Sequence, residues 1–272
     1  MFRIYENGNQ FFNDNRGILK ENPLETVFFV SNAENLKDSS QGFAVKAAEG
    51  ELCLLAIRYR MFPMVLYGDR TLCGELAAGL KEHGLTFGSV LSDAETTEAF
   101  FQCYEALAGG THVLSHTTDM MKCTSARPAD TSLVAAAFEE EAEELAELMG
   151  QFSEEAGTQQ TDFQERTAEV LAQIRDFAVV RMDGKIVSMA RKVRETDLLC
   201  GISHVFTRRE YRGKGLARQT VTALTEDILK QGKLAYLYVD RTNPISNHLY
   251  QSIGYEYGKP HIETAYLPAE NA

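Results

Sequence analysis

Gly201-Ile202-Ser203-His204-Val205-Phe206-Thr207 leads, after four residues, into Arg212-Gly213-Lys214-Gly215-Leu216-Ala217-Arg218. The first seven residues form an apolar, β-forming run, and an amphipathic helical pattern follows from Leu216 to Leu229. A strand, a glycine-rich turn and a helix start together make an anion cradle. Glycine lets backbone approach closely and take positive φ. The first helical turn offers unpaired N–H groups and a partial positive charge. That combination suits a phosphate or pyrophosphate, and Arg212, Lys214 and Arg218 add charge at the same place.

Two nucleotide patterns fit poorly. A P-loop needs G-x-x-x-x-G-K-[ST], whereas Lys214 falls between the glycines with no Ser or Thr in register. The dinucleotide fingerprint needs a third glycine where Arg218 stands, and Asp240 lies further along than its acidic ribose ligand should. A third pattern fits better: R-x-x-G-x-A at Arg212, Gly215 and Ala217, with a strand at Leu234–Asp240 and then N-x-x-S-x-x-L-Y-x-x-x-G-[FY] from Asn243 to Tyr255. These two motifs, separated by one helix and one strand, resemble the GNAT superfamily of acyl-CoA-dependent N-acetyltransferases.

The second motif also reads physically. Asn243 is a good N-cap and Pro244 suits the first helical position. Asn247 and Tyr250 share one face, Leu249 and Ile253 face the core, and Gly254 stops the helix. The resemblance implies acetyl-CoA as cofactor, gripped at its phosphates by Arg212, Gly213, Lys214, Gly215, Leu216, Ala217 and Arg218. It implies that backbone groups of Val205, Phe206 and Thr207 pair with the pantetheine arm, with one N–H polarising the thioester. It further implies that Asn243 and Asn247 contact that arm and that Tyr250 protonates the departing thiolate. The reaction would be direct attack by a primary amine of a small-molecule or peptide acceptor. Candidates for the base are His204, whose ordinary pKa suits the task, and Glu195, with Asp197 and the acidic 139–147 run behind them. A second reading is an acyl-CoA-binding sensor or scaffold without catalysis.

The chain has 272 residues, 44% hydrophobic and 24% charged, which describes a core-forming protein of about two domains. Its net charge of −12 divides evenly: residues 1–125 hold 10 basic and 16 acidic side chains, and 126–272 hold 17 and 23. That balance argues against nucleic acid as a partner. The run Glu139–Glu144 reads as a solvated helix face. No apolar run is long enough to span a membrane, and the amino terminus lacks a signal peptide's apolar region. The five widely spaced cysteines form no metal or disulfide pattern and read as thiols of a cytoplasmic protein. A homodimer is compatible with the sequence.

Residues 121–272 are expected to form a catalytic α/β (α+β) domain with a mixed, mostly antiparallel sheet flanked by helices. The expected order is a strand near 120–126, helices at 132–149 and 161–174, and strands at 177–182 and 185–192 joined by Asp183-Gly184. The cofactor strand, the two motif helices and closing strands near 255–258 and 261–267 follow. Residues 1–120 are expected to form a degenerate GNAT-like domain, from the order strand (61–67), helix on Leu72, Leu76 and Leu80, strand (85–91), helix after Asp93, strand from Thr111. Gly68-Asp69 would replace the phosphate loop there, without its glycines or Arg. The arrangement is similar to glycine N-acyltransferase-like and other tandem GNAT proteins, in which the first half buttresses the active one.

Overall fold

The computed structural model describes residues 1–157 and 161–269. It divides into two compact units, Met1–Asp119 with Lys259–Ala272, and Met120–Gly258. In the first, β1 (Phe2–Tyr5) leads to α1 (Gly8–Asp14), α2 (Arg16–Glu21) and α3 (Val27–Asn35). Then come β2 (Gly42–Glu49), β3 (Leu52–Tyr59), β4 (Met64–Gly68), α4 (Cys73–Glu82), β5 (Ser89–Ser92) and α5 (Ala94–Ala108). β6 (Thr111–Cys123) carries the chain into the second unit. There β7 (Val134–Ala136), α6 (Ala142–Ala156), α7 (Phe163–Ala172), β8 (Phe177–Met182), β9 (Lys185–Val193) and β10 (Leu199–Thr207) precede α8 (Leu216–Lys230). β11 (Leu234–Asp240) and α9 (Pro244–Ile253) complete it, and β12 (Glu256–Leu267) returns the chain to the first unit.

Both units repeat one pairing scheme. In the first, β1, β2, β3 and β4 are antiparallel neighbours and β4 pairs β5 in parallel, with α4 as the crossover. In the second, β7, β8, β9 and β10 are antiparallel neighbours and β10 pairs β11 in parallel, with α8 as the crossover. The place beyond the parallel pair is taken by a strand distant in sequence. β12 lies beside β5 through Ile262↔Ser92 to Ala265↔Ser89, and β6 lies beside β11. A parallel neighbour cannot be reached by a hairpin, so each crossover needs its helix, and that helix covers one sheet face.

Each sheet is buried on both faces. In the second unit, Ala178, Ala190, Cys200, Ile202, Ala235, Leu237 and Val239 face α8 and α9, with Val221, Leu224, Ile228 and Ile253 above them. Phe177, Val179, Met189 and Phe206 face α6 and α7, packed by Leu145, Leu148, Met149 and Val170. The first unit matches this with one core under α4 and α5 and another under α1–α3.

Several expectations shift. The closing segment 259–272 groups with the first unit, so the expected 121–272 domain loses its last strand. The physical reason is pairing: the exposed edge of β5 takes β12 antiparallel. The two strands expected near 111 and 120–126 are one strand, β6, and the two closing strands are also one, β12. The helix expected from 132 starts at Ala142 because Val134–Ala136 pairs with β8 as an edge strand, and it runs on to the left-handed cap at Gly157. Tyr266 on β12 packs at 5.6 Å from Phe87 and 5.2 Å from Tyr104, and its hydroxyl donates to the Gly109 carbonyl at 2.8 Å. Tyr266→Ala should therefore destabilise the first unit by about 3 kcal/mol. Hydrogen exchange should show the loss in β5 and α5, and protection lost only in residues 120–258 would refute the assignment of this strand.

Candidate functional site

Three features meet at the end of β10. The first is a divergence of strands. β10 and β11 pair in parallel at Leu199↔Leu234, Cys200↔Ala235 and Gly201↔Tyr236, and the pairing stops there although both strands continue. The second is a bulge. β10 faces Arg191 at Ser203 and Met189 at Phe206, so His204 and Val205 together stand opposite Ala190 alone. His204 takes φ +51°, left-handed for a non-glycine residue. An extra residue bends and twists a strand, and this one lies where β10 leaves β11.

Beyond the bulge the backbone directions are readable. The Phe206 carbonyl accepts from Ser188 Oγ at 3.3 Å and Arg208 N–H donates to the Val187 carbonyl at 2.9 Å, so both face β9. Alternation along a strand then turns Thr207 toward the diverging side. The Thr207 carbonyl accepts from Arg212 Nε at 2.8 Å. Of the expected trio, Phe206 thus faces its antiparallel neighbour, while Val205 and Thr207 border the cleft.

The third feature is the start of α8. Gly213 and Gly215 have φ +75° and +74°, and a Cβ at either would meet no atom within 4 Å. Their conformation, rather than crowding, calls for glycine. Gly215 caps α8 without a side-chain acceptor, and Gln219 N–H donates to the Gly215 carbonyl at 3.1 Å. The amides of Leu216, Ala217 and Arg218 occupy the first turn, whose N–H groups have no intrahelical partner. Lys214 Nζ lies 4.9 Å above the Tyr211 ring, and Arg218 Nη2 reaches the Ser252 carbonyl at 3.5 Å. Arg212 also binds Glu155 Oε2 at 2.6 Å, while Glu155 Oε1 takes Arg209 Nε at 2.9 Å.

The α9 residues divide their tasks. Asn243 caps the helix, accepting from Ser246 N–H at 3.2 Å. Asn247 Nδ2 donates to the Asp240 and Asn243 carbonyls at 2.9 and 2.6 Å, and its Oδ1 accepts from Tyr257 at 2.6 Å. The Asn243 amide thus fixes the start of α9, and the Asn247 amide ties the helix to the end of β11. Tyr250 belongs to the core cluster that also packs Val205, with its ring 6.1 Å from Tyr255. Burial raises its phenol above the ordinary 10, so it keeps its proton at neutral pH.

The two base candidates fare differently. The His204 ring lies 5.2 Å from Phe152 of α6, and burial together with the Arg191 and Arg194 charges lowers its imidazole to about 3. Glu195 is ion-paired with Lys233. Both precede the paired starts of β10 and β11, at the closed end of the cleft. Sequence reading missed Glu155, Ser188, Arg191, Tyr236 and Tyr238. Glu155 stands 57 positions from Arg212, and no local pattern signals a partner so far away. Tyr236 had a trace in Gly201, where a Cβ would come within 2.8 Å of the Tyr236 ring.

The His204 shift has a testable sign. Its folded pKa of about 3 lies below the ordinary 6.5. The unfolded chain therefore binds the proton first, and the stabilisation is complete above about pH 6.5 and lost as pH falls toward 3. In urea unfolding, the wild type should lose stability more steeply than His204→Asn between pH 6.5 and 4, by up to about 1.4 kcal/mol per pH unit. Parallel curves would mean an imidazole that titrates normally.

Residues 181–262 match the family described as FR47-like protein. No curated protein matches the chain. Among solved structures it resembles an acetyltransferase from the GNAT family of Colwellia psychrerythraea at 13% identity and TM-score 0.63, over 98% of this chain and 99% of that one. It resembles a tandem GNAT protein from the clavulanic acid biosynthesis pathway at 13% identity and TM-score 0.56, over 100% and 99%. A GCN5-related N-acetyltransferase from Sphaerobacter thermophilus superposes at 16% identity and TM-score 0.57, over 85% and 83%. At these identities the likeness is one of fold.

Proposed function

We propose that this two-unit chain is an N-acetyltransferase of the GNAT superfamily, which transfers the acetyl group of acetyl-CoA to a primary amine of a small-molecule or peptide acceptor. The observation that carries the reading is the parting of β10 and β11 after Gly201 and Tyr236, beside a helix start that two left-handed glycines leave uncapped. The residues fit the group. First-turn amides from Leu216 to Arg218 suit the phosphates, with Lys214, Arg218 and Arg212 as cations, the last on release from Glu155. Backbone groups of Val205 and Thr207 suit an extended amide-bearing arm. Asn243 and Asn247 act through the backbone they fix. Acetyl-CoA supplies an activated acyl carbonyl and a thiolate leaving group.

The chain's own residues supply the proton handling. Tyr250, held protonated by its burial, is the acid. His204 is held neutral and weakly basic, so it accepts a hydrogen bond from the incoming amine rather than its proton. Glu195, tied to Lys233 at the closed end, is set aside as a base. The amine therefore enters uncharged or loses its proton to water. The same lack of a base would suit the acyl-CoA sensor, which would bind the cofactor and turn over no amine. Five free thiols fit a cytoplasmic setting.

We further infer that the first unit is a GNAT-like repeat that holds no cofactor. Its pairing scheme is the same, but the cradle is closed. The Asp69 carboxylate accepts from Thr71 N–H at 2.9 Å, occupying the helix start that phosphate would need. Ser92 Oγ donates to the Leu66 carbonyl at 2.9 Å, bridging β4 and β5 just past their last paired residues. β4 also runs opposite β3 from Leu54↔Gly68 to Ile57↔Val65 with no bulge.

Calorimetry should show one acetyl-CoA per chain, and Arg212→Glu should weaken it at least about tenfold, since a charge-assisted contact is worth roughly 1.5–3 kcal/mol. Unchanged affinity would reduce the loop to a turn. Tyr250→Phe should lower kcat in a thiol-release assay by roughly 10²-fold with affinity little altered. A fully active variant would remove its role as acid.

A further inference from the structure

The side of the cleft that faces α6 and α7 differs from the side that faces α8. Register places Phe177, Arg191 and Ser203 abreast on three neighbouring strands. The Arg191 guanidinium lies 5.5 Å over the Phe177 ring, so this row belongs to the α6–α7 face. Tyr236 lies across Gly201, and Tyr238, two residues on, meets it edge-on at 6.0 Å. Both hydroxyls are buried. The intervening Ala235, Leu237 and Val239 point into the apolar core under α8. β11 is thus phenolic on one side and aliphatic on the other.

This face is rich in hydrogen-bond donors and cations. Arg191, 7% exposed, gives Nη1 to Glu169 at 2.9 Å, and its buried Nε has no acceptor among the described residues. Arg194, left-handed at the end of β9 with φ +46°, brings a second guanidinium to Tyr236 and Tyr238. Both arginines also act on His204, and no carboxylate is among the charges acting on His204, Tyr236 or Tyr238. Arginine can only donate, in a fork that matches carboxylate and phosphate oxygens. A buried donor without an acceptor is costly, so a ligand suited to this face brings oxyanion acceptors.

We propose that the acceptor is an amine that also carries an oxyanion, a carboxylate or a phosphate, and that Arg194 and Arg191 on the β9–β11 face read that group. The inference rests on the acetyltransferase reading and narrows its substrate class. A polyamine would bring further cations against the Arg194 guanidinium and against Arg191, whose charge the Glu169 and Asp176 carboxylates already share. An amine with its own anion would offset them, and the phenols would orient it. The ammonium first passes one proton to water; transfer then joins the amine nitrogen to the acyl carbon and breaks the carbon–sulfur bond, Tyr250 protonates the thiolate, and the second nitrogen proton leaves to water, from which Tyr250 regains its own.

The test measures thiol release by the full chain with acetyl-CoA and four amines: alanine, 2-aminoethyl phosphate, alaninamide and putrescine. We expect kcat/KM for one of the first two to exceed the last two at least tenfold, and the faster one identifies the oxyanion. Arg194→Gln should cut that preference about tenfold, and Arg194→Lys should keep most of it. Calorimetric binding of the preferred acceptor to the CoA-bound chain should show the same loss. Turnover of alaninamide or putrescine at a matching rate would overturn the oxyanion assignment and leave the acetyltransferase standing. Acetyl-CoA binding with no thiol released by any amine would remove both.

Discussion

The candidate site of the second unit depends on two neighbouring strands that pair for three residues and then part. Parallel pairing between β10 and β11 ends at Gly201 and Tyr236, and backbone groups beyond that point need partners of another kind. The bulge at His204 and Val205 is what allows it. One surplus residue against Ala190 changes the course of β10, while Phe206 and Arg208 remain bonded to β9. Arg212 then joins the end of the strand to the turn by taking the Thr207 carbonyl. Strand, turn and helix start are thus fixed to one another before any ligand arrives, which lowers the ordering cost of binding.

The first unit shows what happens to the same scheme without that divergence. β3 and β4 stay in register, Ser92 reaches across to Leu66, and Asp69 satisfies its own helix start. Each change is small, yet each satisfies a group that the second unit leaves available. At Gly68 a Cβ would come within 2.2 Å of the Cys53 carbonyl oxygen, so glycine there serves close backbone packing. At Gly213 and Gly215 there is open space, and glycine serves the left-handed turn alone. The same residue type serves close packing in one unit and an open turn at the candidate site in the other.

Much of the second unit was legible because its signals are local. The α9 helix begins at Asn243 and Pro244 and stops at Gly254 as capping chemistry dictates. The hairpin at Asp183-Gly184 and the strand–turn–helix around Arg212 need only neighbours to be understood. Long-range pairing was less legible. β6 and β12 are each expected from sequence as two strands, the first divided at the domain boundary near 120 and the second between 258 and 261, and each is a single strand. Ala135 and Ala136 favour a helix in isolation, and an edge position beside β8 overrides that preference. The candidate site follows the same division. Its glycines and cations were visible, whereas Glu155, Arg191 and the two phenols reach it from other elements.

Proton traffic sets the last constraint. The buried phenol of Tyr250 and the buried imidazole of His204 are both held uncharged by the same cause, loss of water. For Tyr250 the uncharged form is the one the proposed acid needs, and burial keeps it in that form while making it a weaker donor. For His204 the uncharged form is a base, but the shift that keeps it neutral also makes it weak. A phenol that keeps its proton beside an imidazole that hardly accepts one suits a leaving thiolate, which is basic enough to take a proton only as it departs, better than an ammonium ion. The proposed amine would lose its proton outside this pair, and the cations Arg191 and Arg194, which lower the proton affinity of His204, would act on a nearby ammonium in the same direction. In the proposed reaction the arginines would therefore ease deprotonation of the amine in the same way that they weaken the histidine as a base.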